Sequence, residues 1–426
     1  MELINIILIC IFAVIYAWVL YNLPILAIGV RNLRLSKQKQ ASPNLESAKL
    51  PFYSIIVPAK NEERTIGRLL DSISKLNYPS DKIETIVVVD GSNDKTFEIC
   101  EKFSNQHSNI QVIQKPSSDG KPSALNFGIL QTRGEIIAIF DADNVPAKDA
   151  LLKAAKYFKD AKVAAVQGRT MSINSKENML TQFISYEEAV WCEAYLRGKD
   201  VLGLFVHLKG SCQFIRRNVI TQLAGFDESV LSEDMEFSAR LAENNYSIRY
   251  AGDVCSWQES PSNLKALFKQ RTRWFRGTMD VAVKYGRLIR TFNRRNLDAE
   301  ATLYGPFILI ASLLSYFMAF GTFLAEYPFN VIWTGFSYFS LFSMTAIVLM
   351  CGFALIYISK PHRVSNLLWL PFVFAYWFIQ GFIALYAGLL SLLRRPKHWL
   401  KTEKKGTITE TAFIVEEPLC IEKQAF

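Results

Sequence analysis

Residues 136–144 read IIAIFDADN, an apolar run that ends in two aspartates with one residue between them. A continuous run of Ile, Ala and Phe is typical of a strand buried on both faces, so Asp141 and Asp143 are expected at its carboxyl end. Open α/β sheets bind ligands at that edge. Two carboxylates at this spacing can present oxygens to one divalent cation, the usual partner of a diphosphate. For the pair alone, a solvated turn is the alternative.

Strand and helix patterns alternate on both sides of this run. Short β-branched and apolar runs predict strands, and apolar residues at helical spacing predict helices. The predicted strands are residues 53–57, 85–89, 110–114, 136–140, 163–167 and 210–215. The predicted helices are residues 62–76, 123–130, 148–159, 178–195 and 235–243, with a further helix from Lys95. Short connecting loops give a parallel sheet with right-handed crossovers, the first half of a nucleotide-binding α/β domain.

The apolar residues of the 426-residue chain concentrate at its two ends. Residues 3–30 and about 301–393 supply segments of about 20 apolar residues, the length that a helix needs to cross a bilayer. The first segment lacks a basic start and a cleavage site, so we predict a retained anchor. Four basic residues follow within 31–39, and the positive-inside rule then puts the central domain in the cytoplasm. The net charge of +9 suits anionic lipids and substrates, and the hydrophobic ends argue against nucleic acid.

Two acidic residues stand at the start of a predicted helix. Ser232-Glu233-Asp234 precedes the helical pattern at 235–243. In this position Ser232 could cap free backbone amides, and the two carboxylates could do no more than complement the helix dipole.

Residues 263–292 are predicted to form a basic, aromatic helix that contains QRTRWFR at 270–276. Arg, Trp and Phe just before a membrane segment could anchor the chain at the headgroup region. Alternatively, the guanidiniums could bind a diphosphate bidentately while Trp274 stacks on a sugar. Both roles can coexist on different faces of the helix.

Six short motifs, taken together, resemble the membrane-embedded members of glycosyltransferase family 2, which include cellulose, hyaluronan, chitin-oligosaccharide and poly-N-acetylglucosamine synthases. The resemblance covers about residues 52–277. The motifs are VPAKNE at 57–62, DGSNDKT at 90–96, GKPSALN at 120–126, DAD at 141–143, SED at 232–234 and QRTRW at 270–274. The family's usual triplet has Thr before Glu-Asp, and Ser232 retains the hydroxyl.

The resemblance implies a GT-A fold, a nucleotide diphosphate sugar as donor, with UDP expected, and Mg²⁺ or Mn²⁺ as cofactor. It assigns to the base, ribose and nucleotide pocket Asn61, Glu62, Asp90 and Lys121. It assigns Asp141 and Asp143 to the diphosphate and the cation, with Asp143 as the metal ligand and Asp141 closer to the nucleotide. It assigns Asp234 as general base, and it assigns to the diphosphate and acceptor site Gln270, Arg273 and Trp274.

One base and no evident nucleophilic carboxylate predict direct displacement with inversion, giving a β-linked product from an α-linked donor. We expect a processive synthase that extends a β-linked polysaccharide. A single-addition transferase acting on a lipid-linked or polyprenyl phosphate acceptor remains an alternative, because few hydrophobic segments are present for a channel. A catalytically silent membrane scaffold is a third alternative.

The expected organisation has six parts. These are a transmembrane anchor (1–30), a cytoplasmic linker (31–51), a GT-A domain (52–262), an amphipathic interface helix (263–299), a transmembrane region (300–393) and a basic tail (394–426). Segments 301–325, 331–359 and 367–393 look like three spans, which would put the tail outside. Its basic residues and the family-like WLKTEK at 399–404 favour the inside, so part of 301–325 is expected to be re-entrant or interfacial. The tail could be a solvated anchor or could gate the site.

Overall fold

The computed structural model describes most of the chain. The described residues are 2–36, 50–115, 117–324, 363–396 and 402–410, with the single positions 349, 352, 355, 356 and 358. The span predicted at 331–359 lies outside them except at those five single positions, and Trp399, Leu400 and Lys401 of the tail motif also lie outside them.

An eight-stranded mixed sheet forms the core of the central domain, with strand order β3-β2-β1-β4-β7-β6-β8-β5. The strands are β1 (Tyr53–Ala59), β2 (Ile83–Asp90), β3 (Ile110–Lys115), β4 (Ile136–Ile139), β5 (Val145–Pro146), β6 (Val163–Ser172), β7 (Gln213–Arg216) and β8 (Ser247–Gln258). Strands β1 to β4 pair in parallel, as predicted. Strand β7 is antiparallel to both of its neighbours, β4 and β6.

The helices alternate with these strands in the central domain and then continue towards the end of the chain. They are α1 (Glu2–Ser36), α2 (Ile66–Ser74), α3 (Thr96–Gln106), α4 (Lys121–Ile129), α5 (Ala150–Tyr157), α6 (Met179–Val190), α7 (Arg197–Val201), α8 (Arg217–Gln222), α9 (Glu233–Glu243), α10 (Leu264–Tyr285), α11 (Arg294–Leu303), α12 (Gly305–Leu324) and α13 (Leu370–Leu392). A π-helical turn, Trp191–Leu196, joins α6 to α7.

The central strands are buried on both faces, which explains their continuous apolar runs. Every residue of β2 and β4 is buried. Ile55 and Val57 of β1 pack in one apolar cluster with residues of α2, α3 and α5. Ile56, between them, packs in a second cluster with residues of α4, α8 and α9. Alternate side chains of a strand face opposite sides, and each buried Val or Ile contributes about 1.5–3 kcal/mol.

Several element boundaries differ from the predicted ones for local reasons. The strand expected at 210–215 begins at Gln213, because Gly210 and Cys212 have positive φ values that an extended strand excludes. The helix expected at 263–292 ends at Tyr285, where Gly286 follows and glycine disfavours a helix interior. Strand β8 was not predicted.

Two helices near the ends of the described chain, Ile9–Leu35 and Val364–Leu392, are long and apolar enough to cross a membrane. Helix α1 continues to Ser36, into the predicted linker. Helices α11 and α12 meet at 49°, and this bent pair would count as a third span only if it crosses as one. Pro306 follows the break and lacks the N–H that a continuous helix needs. The predicted span at 301–325 is therefore broken near its start.

Close backbone contacts and a buried ion pair join the N-terminal helix to the central domain. A Cβ on Gly29 would lie 1.8 Å from a carbonyl oxygen of the π-helical turn, so α1 lies directly against that turn. Lys199 Nζ lies 3.0 Å from Asp298 Oδ1, with both side chains fully buried. The Tyr21 hydroxyl of α1 donates to the same carboxylate at 2.8 Å. These contacts fix α1, α7 and α11 relative to one another.

Candidate active site

The loops that follow β1 and β2 are hydrogen-bonded to each other at the carboxyl edge of the sheet. The Asn61 N–H donates to Ser92 Oγ at 3.0 Å, and Asn61 Oδ1 accepts from the Asn93 N–H at 2.8 Å. The Glu62 N–H donates to Thr96 Oγ1 at 2.7 Å. Asn61 has a φ of 53°, a conformation that Asn tolerates better than most residues. These two predicted site residues thus shape the edge of the sheet.

Asp90 is the last residue of β2 and is only 3% exposed. Its Oδ2 accepts from the Ser118 hydroxyl at 2.9 Å, and Lys115 Nζ lies 3.9 Å from Oδ1. Among the residues that the structure describes, Oδ1 is buried and has no hydrogen-bond partner. Because a carboxylate oxygen is a strong acceptor, Asp90 is ready to accept a hydrogen bond from a ligand hydroxyl or ring N–H.

Lys121, the first residue of α4, joins two groups of acidic residues. Its Nζ lies 2.6 Å from Asp141 Oδ1 and 3.3 Å from Glu233 Oε1, and it donates to the Gly210 carbonyl at 2.9 Å. Burial alone would lower the pKa of Lys121, but the carboxylates of Asp141 and Glu233 outweigh it and raise that pKa. The ammonium is therefore fixed between the DAD and SED motifs.

The two aspartates of the DAD motif have different surroundings. Burial raises the pKa of Asp141, although Lys121 opposes the rise. Asp143 is 6% exposed, and its Oδ2 lies 2.7 Å from Lys404 Nζ. The backbone N–H of Glu259 donates to the same oxygen at 3.2 Å. Burial would raise the pKa of Asp143, but Lys404 and this N–H hold it below its usual value.

The donor set fits a cation that is shared with a substrate. No group of three or more His, Cys, Asp or Glu side chains that could enclose a metal occurs within the described part of the chain. Mg²⁺ sites of nucleotide enzymes commonly use one or two protein carboxylates and take the remaining oxygens from phosphates and water. Asp143 and Asp141 can supply those carboxylates.

Asp234 is the second residue of α9 and faces the same space as Lys121. Its Oδ1 accepts from the Met235 N–H at 2.8 Å. Burial and the neighbouring Glu233 raise the pKa of Asp234 to about 7. A Cβ on Gly210 would lie 3.1 Å from both Asp234 Oδ2 and Lys121 Nζ, so a glycine keeps that space open. A carboxylate that titrates near neutral pH is suited to take a proton from an acceptor hydroxyl.

Helix α10 brings its polar motif to the SED triplet. A Cβ on Gly277 would lie 2.1 Å from Ser232 Oγ, so the helix touches the triplet at this glycine. The charge of Arg273 opposes the rise in the pKa of Asp234, which puts the guanidinium within electrostatic reach of the carboxylate. Gln270 is buried on the same helix. The structure therefore brings α10 and α9 together, as their predicted common role requires.

Arg271 and Glu259 have contacts in this neighbourhood but were not assigned a role from the sequence. The Arg271 guanidinium stacks on the Trp274 ring at 4.5 Å and forms an ion pair with Glu187. The Tyr376 hydroxyl of α13 donates to Glu187 at 2.8 Å. Glu259 follows the unpredicted strand β8. Arg271 lies inside the recognised QRTRWFR motif, whereas no local pattern marks Glu259.

The tail reaches the catalytic domain. Lys404 belongs to the motif that favoured this location, and its contact with Asp143 brings the tail to the predicted metal ligand. The described part of the tail therefore lies against the central domain, and its side of the membrane stays a prediction.

Comparisons with known proteins give a consistent result for the central domain. A family model described as "Glycosyltransferase like family 2" matches residues 51–277. The chain is 33% identical over 267 residues to the beta-monoglucosyldiacylglycerol synthase of Trichormus variabilis, covering 61% of this chain and 56% of that protein. It is 26% identical over 355 residues to a poly-beta-1,6-N-acetyl-D-glucosamine synthase of Staphylococcus epidermidis, covering 80% and 84%.

The chain thus spans about half of the relative with the higher identity. Among solved structures, a mannosyltransferase from Pyrobaculum calidifontis, in complex with GDP-Man and Mn²⁺, is similar, with a TM-score of 0.58 and 20% identity. The superposition covers 91% of this chain and 100% of that one. At this identity the likeness shows a shared fold.

Proposed function

Because the chain belongs to glycosyltransferase family 2 and is a glycosyltransferase with a GT-A fold, we propose that it transfers a sugar, with inversion and with a divalent cation, from a nucleotide diphosphate sugar to a growing β-linked polysaccharide. The observation that carries this proposal is the position of Lys121. Its ammonium contacts Asp141 and Glu233, so the proposed donor-binding motif and the proposed base lie side by side.

Asp234 takes the proton of the acceptor hydroxyl in the proposed reaction. Its raised pKa makes it a stronger base than an ordinary aspartate, and base catalysis of this kind contributes roughly 10²- to 10⁴-fold in rate. The neighbouring carboxylate of Glu233 is engaged by Lys121. This pairing supports a single displacement by the acceptor rather than attack by a second carboxylate, and so supports inversion.

Positive side chains bind and stabilise the departing nucleoside diphosphate. Lys121 lies between the two motifs, and Arg273 carries its charge on the neighbouring helix, so both can interact with oxygens that gain charge as the glycosidic bond breaks. Asp90 accepts from the nucleotide through Oδ1, which has no hydrogen-bond partner among the described residues. When bound by Asp143 and Asp141, Mg²⁺ or Mn²⁺ supplies further positive charge to the diphosphate.

The donor and cofactor proposals draw on the solved mannosyltransferase, whose structure contains GDP-Man and Mn²⁺. That protein supports a nucleotide diphosphate sugar and a divalent cation for this fold. The choice of UDP for this chain depends on the resemblance to UDP-sugar synthases.

A growing polysaccharide is the first acceptor candidate. The match to the poly-beta-1,6-N-acetyl-D-glucosamine synthase extends over 80% of this chain, well beyond the family model, and so includes part of the apolar flanks. The proposed location is a membrane with the catalytic domain in the cytoplasm, supported by the apolar helices and the basic residues that follow the first of them.

A single lipid acceptor is the second candidate. The name of the beta-monoglucosyldiacylglycerol synthase points to it, and so does one contact. The Arg271–Trp274 stack adjoins Glu187, which accepts a hydrogen bond from Tyr376 of α13. The acceptor motif therefore contacts a helix that is apolar enough to cross a membrane, where a lipid could enter sideways. Membership of an enzyme family leaves the scaffold alternative without support.

A screen against nucleotide sugars tests the proposal. The purified chain in detergent is incubated with individual nucleotide sugars and Mn²⁺, and nucleoside diphosphate release and product size are measured. We expect release with at least one UDP-sugar and a long product. One added sugar on a lipid would favour the second acceptor, and absence of release with every donor, with or without membrane lipid, would refute the proposed activity.

A further inference from the structure

The segment 402–410, which we call the strap, is held across the proposed cation site. Lys404 reaches Asp143 Oδ2 with its Nζ at 2.7 Å and also donates to the Glu259 carbonyl at 2.6 Å. Its side chain is only 15% exposed. A positive charge of this chain is therefore already in contact with the proposed metal ligand.

Glu259 connects the metal ligand to the strap through all of its polar groups. Its N–H donates to Asp143 Oδ2, and its carbonyl accepts from Lys404. Its carboxylate accepts from the Lys405 N–H at 2.7 Å and from the Gly406 N–H at 2.9 Å. Two successive backbone amides thus point at one buried carboxylate. Gly406 has a φ of +79°, a conformation that glycine adopts without strain.

The other end of the strap is fixed independently. The Thr409 N–H donates to the Ile173 carbonyl at 3.1 Å, and Thr409 Oγ1 accepts from the Lys176 N–H at 3.0 Å. The Ser175 hydroxyl donates to Glu410. Because both ends are bound to the central domain, the position of Lys404 is set by the strap and does not depend on one flexible side chain alone.

We propose that Lys404 and the divalent cation are alternative occupants of Asp143, and that Glu259 is the positioning residue that keeps Lys404 there until a donor arrives. The inference rests on the proposed function, since it concerns the same cation. An ammonium and a divalent cation in contact with one carboxylate oxygen repel each other strongly. A cation alone must therefore displace Lys404. The apparent affinity of the cation is then its intrinsic affinity multiplied by the fraction of molecules in which Asp143 is free.

The donor changes this balance because its diphosphate brings negative charge for both positive groups. The cation then binds Asp143 together with the diphosphate, and Lys404 is released from Asp143. Cation and donor thus enter together, and the empty site retains little free metal. The strap would keep the charge of Asp143 compensated between reaction cycles.

Titration with Mn²⁺ alone tests the inference without sugar transfer. Binding to the full chain in detergent is measured by calorimetry for wild type, Lys404→Met and Lys405→Met. We expect about tenfold tighter Mn²⁺ binding for Lys404→Met, corresponding to an open state populated at about one in ten. Lys405→Met removes the same charge from a side chain that contacts Glu177 instead, so its Mn²⁺ affinity should match wild type. Equal affinities in all three proteins would overturn the inference.

Glu259→Gln separates a positioning role from a metal-binding role by the sign of its effect. If Glu259 holds the strap, its replacement frees Lys404 and tightens Mn²⁺ binding severalfold. If Glu259 were itself a ligand, the loss of its charge would weaken binding. A weaker or unchanged Mn²⁺ affinity would therefore refute the positioning role.

Chemical labelling of the wild type gives a readout that needs no variant. Lysine acylation, mapped by mass spectrometry, should be slow at buried Lys404 and fast at Lys405, which is more exposed. Saturating Mn²⁺ alone should raise the Lys404 rate severalfold and leave the Lys405 rate unchanged. An unchanged Lys404 rate contradicts the inference. A protein that transfers no sugar but shows these changes would retain the strap assignment and lose only the proposed function.

Discussion

At the scale of single residues, Asp234 has the most informative electrostatic surroundings. Its carboxyl is buried beside Glu233, and both effects raise its pKa to about 7. The deprotonated form, which can accept a proton, therefore falls away below neutral pH. We expect kcat/KM to decrease about tenfold for each pH unit below 7 and to level off above it. Initial rates at low substrate concentration between pH 5.5 and 9 measure this, and a flat profile down to pH 5.5 would remove Asp234 from the base role.

Replacement of Asp234 separates base catalysis from donor binding. Asp234→Asn keeps the size of the side chain but cannot take a proton, so we expect a loss of roughly 10²- to 10⁴-fold in kcat. Donor affinity in the presence of Mn²⁺, measured by calorimetry, should stay within a few fold of wild type. Near-normal turnover by this variant would contradict the assignment.

Trp274 is expected to act on the acceptor. Its ring is held by the Arg271 guanidinium at 4.5 Å, which fixes a flat apolar face on the helix that touches the SED triplet at Gly277. Trp274→Ala should lower sugar transfer to the acceptor more than it lowers hydrolysis of the donor by water, because stacking on a sugar is lost. Both rates can be followed in one assay by comparing nucleoside diphosphate release with product formed. Equal losses in the two rates would argue against an acceptor role.

At the scale of elements, the contact between α9 and α10 depends on a glycine. A Cβ at Gly277 would lie 2.1 Å from Ser232 Oγ, so Gly277→Ala must move α10 away from the SED triplet. We expect kcat to fall at least tenfold, since small misplacements of catalytic groups are costly.

A second glycine provides the matched control for this element. A Cβ at Gly67 in α2 would meet only Ile99 Cγ2 at 3.6 Å, and alanine favours a helix. Gly67→Ala should therefore retain normal kcat. If Gly277→Ala also retained it, the packing of α10 would not govern the site.

At the scale of the whole molecule, the Lys199–Asp298 pair links the central domain to α11 and, through Tyr21, to α1. Both side chains are fully buried. Asp298→Ala would leave Lys199 charged and unpaired, at a cost of about 3–5 kcal/mol. We expect a clearly lower unfolding temperature in detergent. The double variant Lys199→Met with Asp298→Leu should recover much of the loss, and equal destabilisation by both proteins would contradict a dominant role for the charge.

The strands of the central domain show why some elements could be predicted and others could not. Strands β1, β2 and β4 were predicted because burial on both faces requires continuous apolar residues, and that requirement is visible locally. Strand β8 contains Gly252 and Asp253, and it forms by pairing with β6 across register shifts. Its strand state comes from that distant partner. The basic tail and its motif led us to expect that part of 301–325 is re-entrant or interfacial, and the structure has a bend of 49° between Leu303 and Gly305.

The candidate site likewise has parts that could be predicted from local sequence and parts that depend on contacts between distant segments. Six motifs in order were enough to indicate the family and the fold, and the apolar run at 136–140 indicated the edge of the sheet where the aspartates lie. Each of these signals is contained in a few consecutive residues and can be read without the tertiary structure. Only the tertiary structure decided that Glu259, 145 residues from Lys404 in the chain, binds the strap and brings a lysine onto Asp143. Electrostatic and hydrogen-bond energies depend on separation in space, and the path of the chain sets that separation.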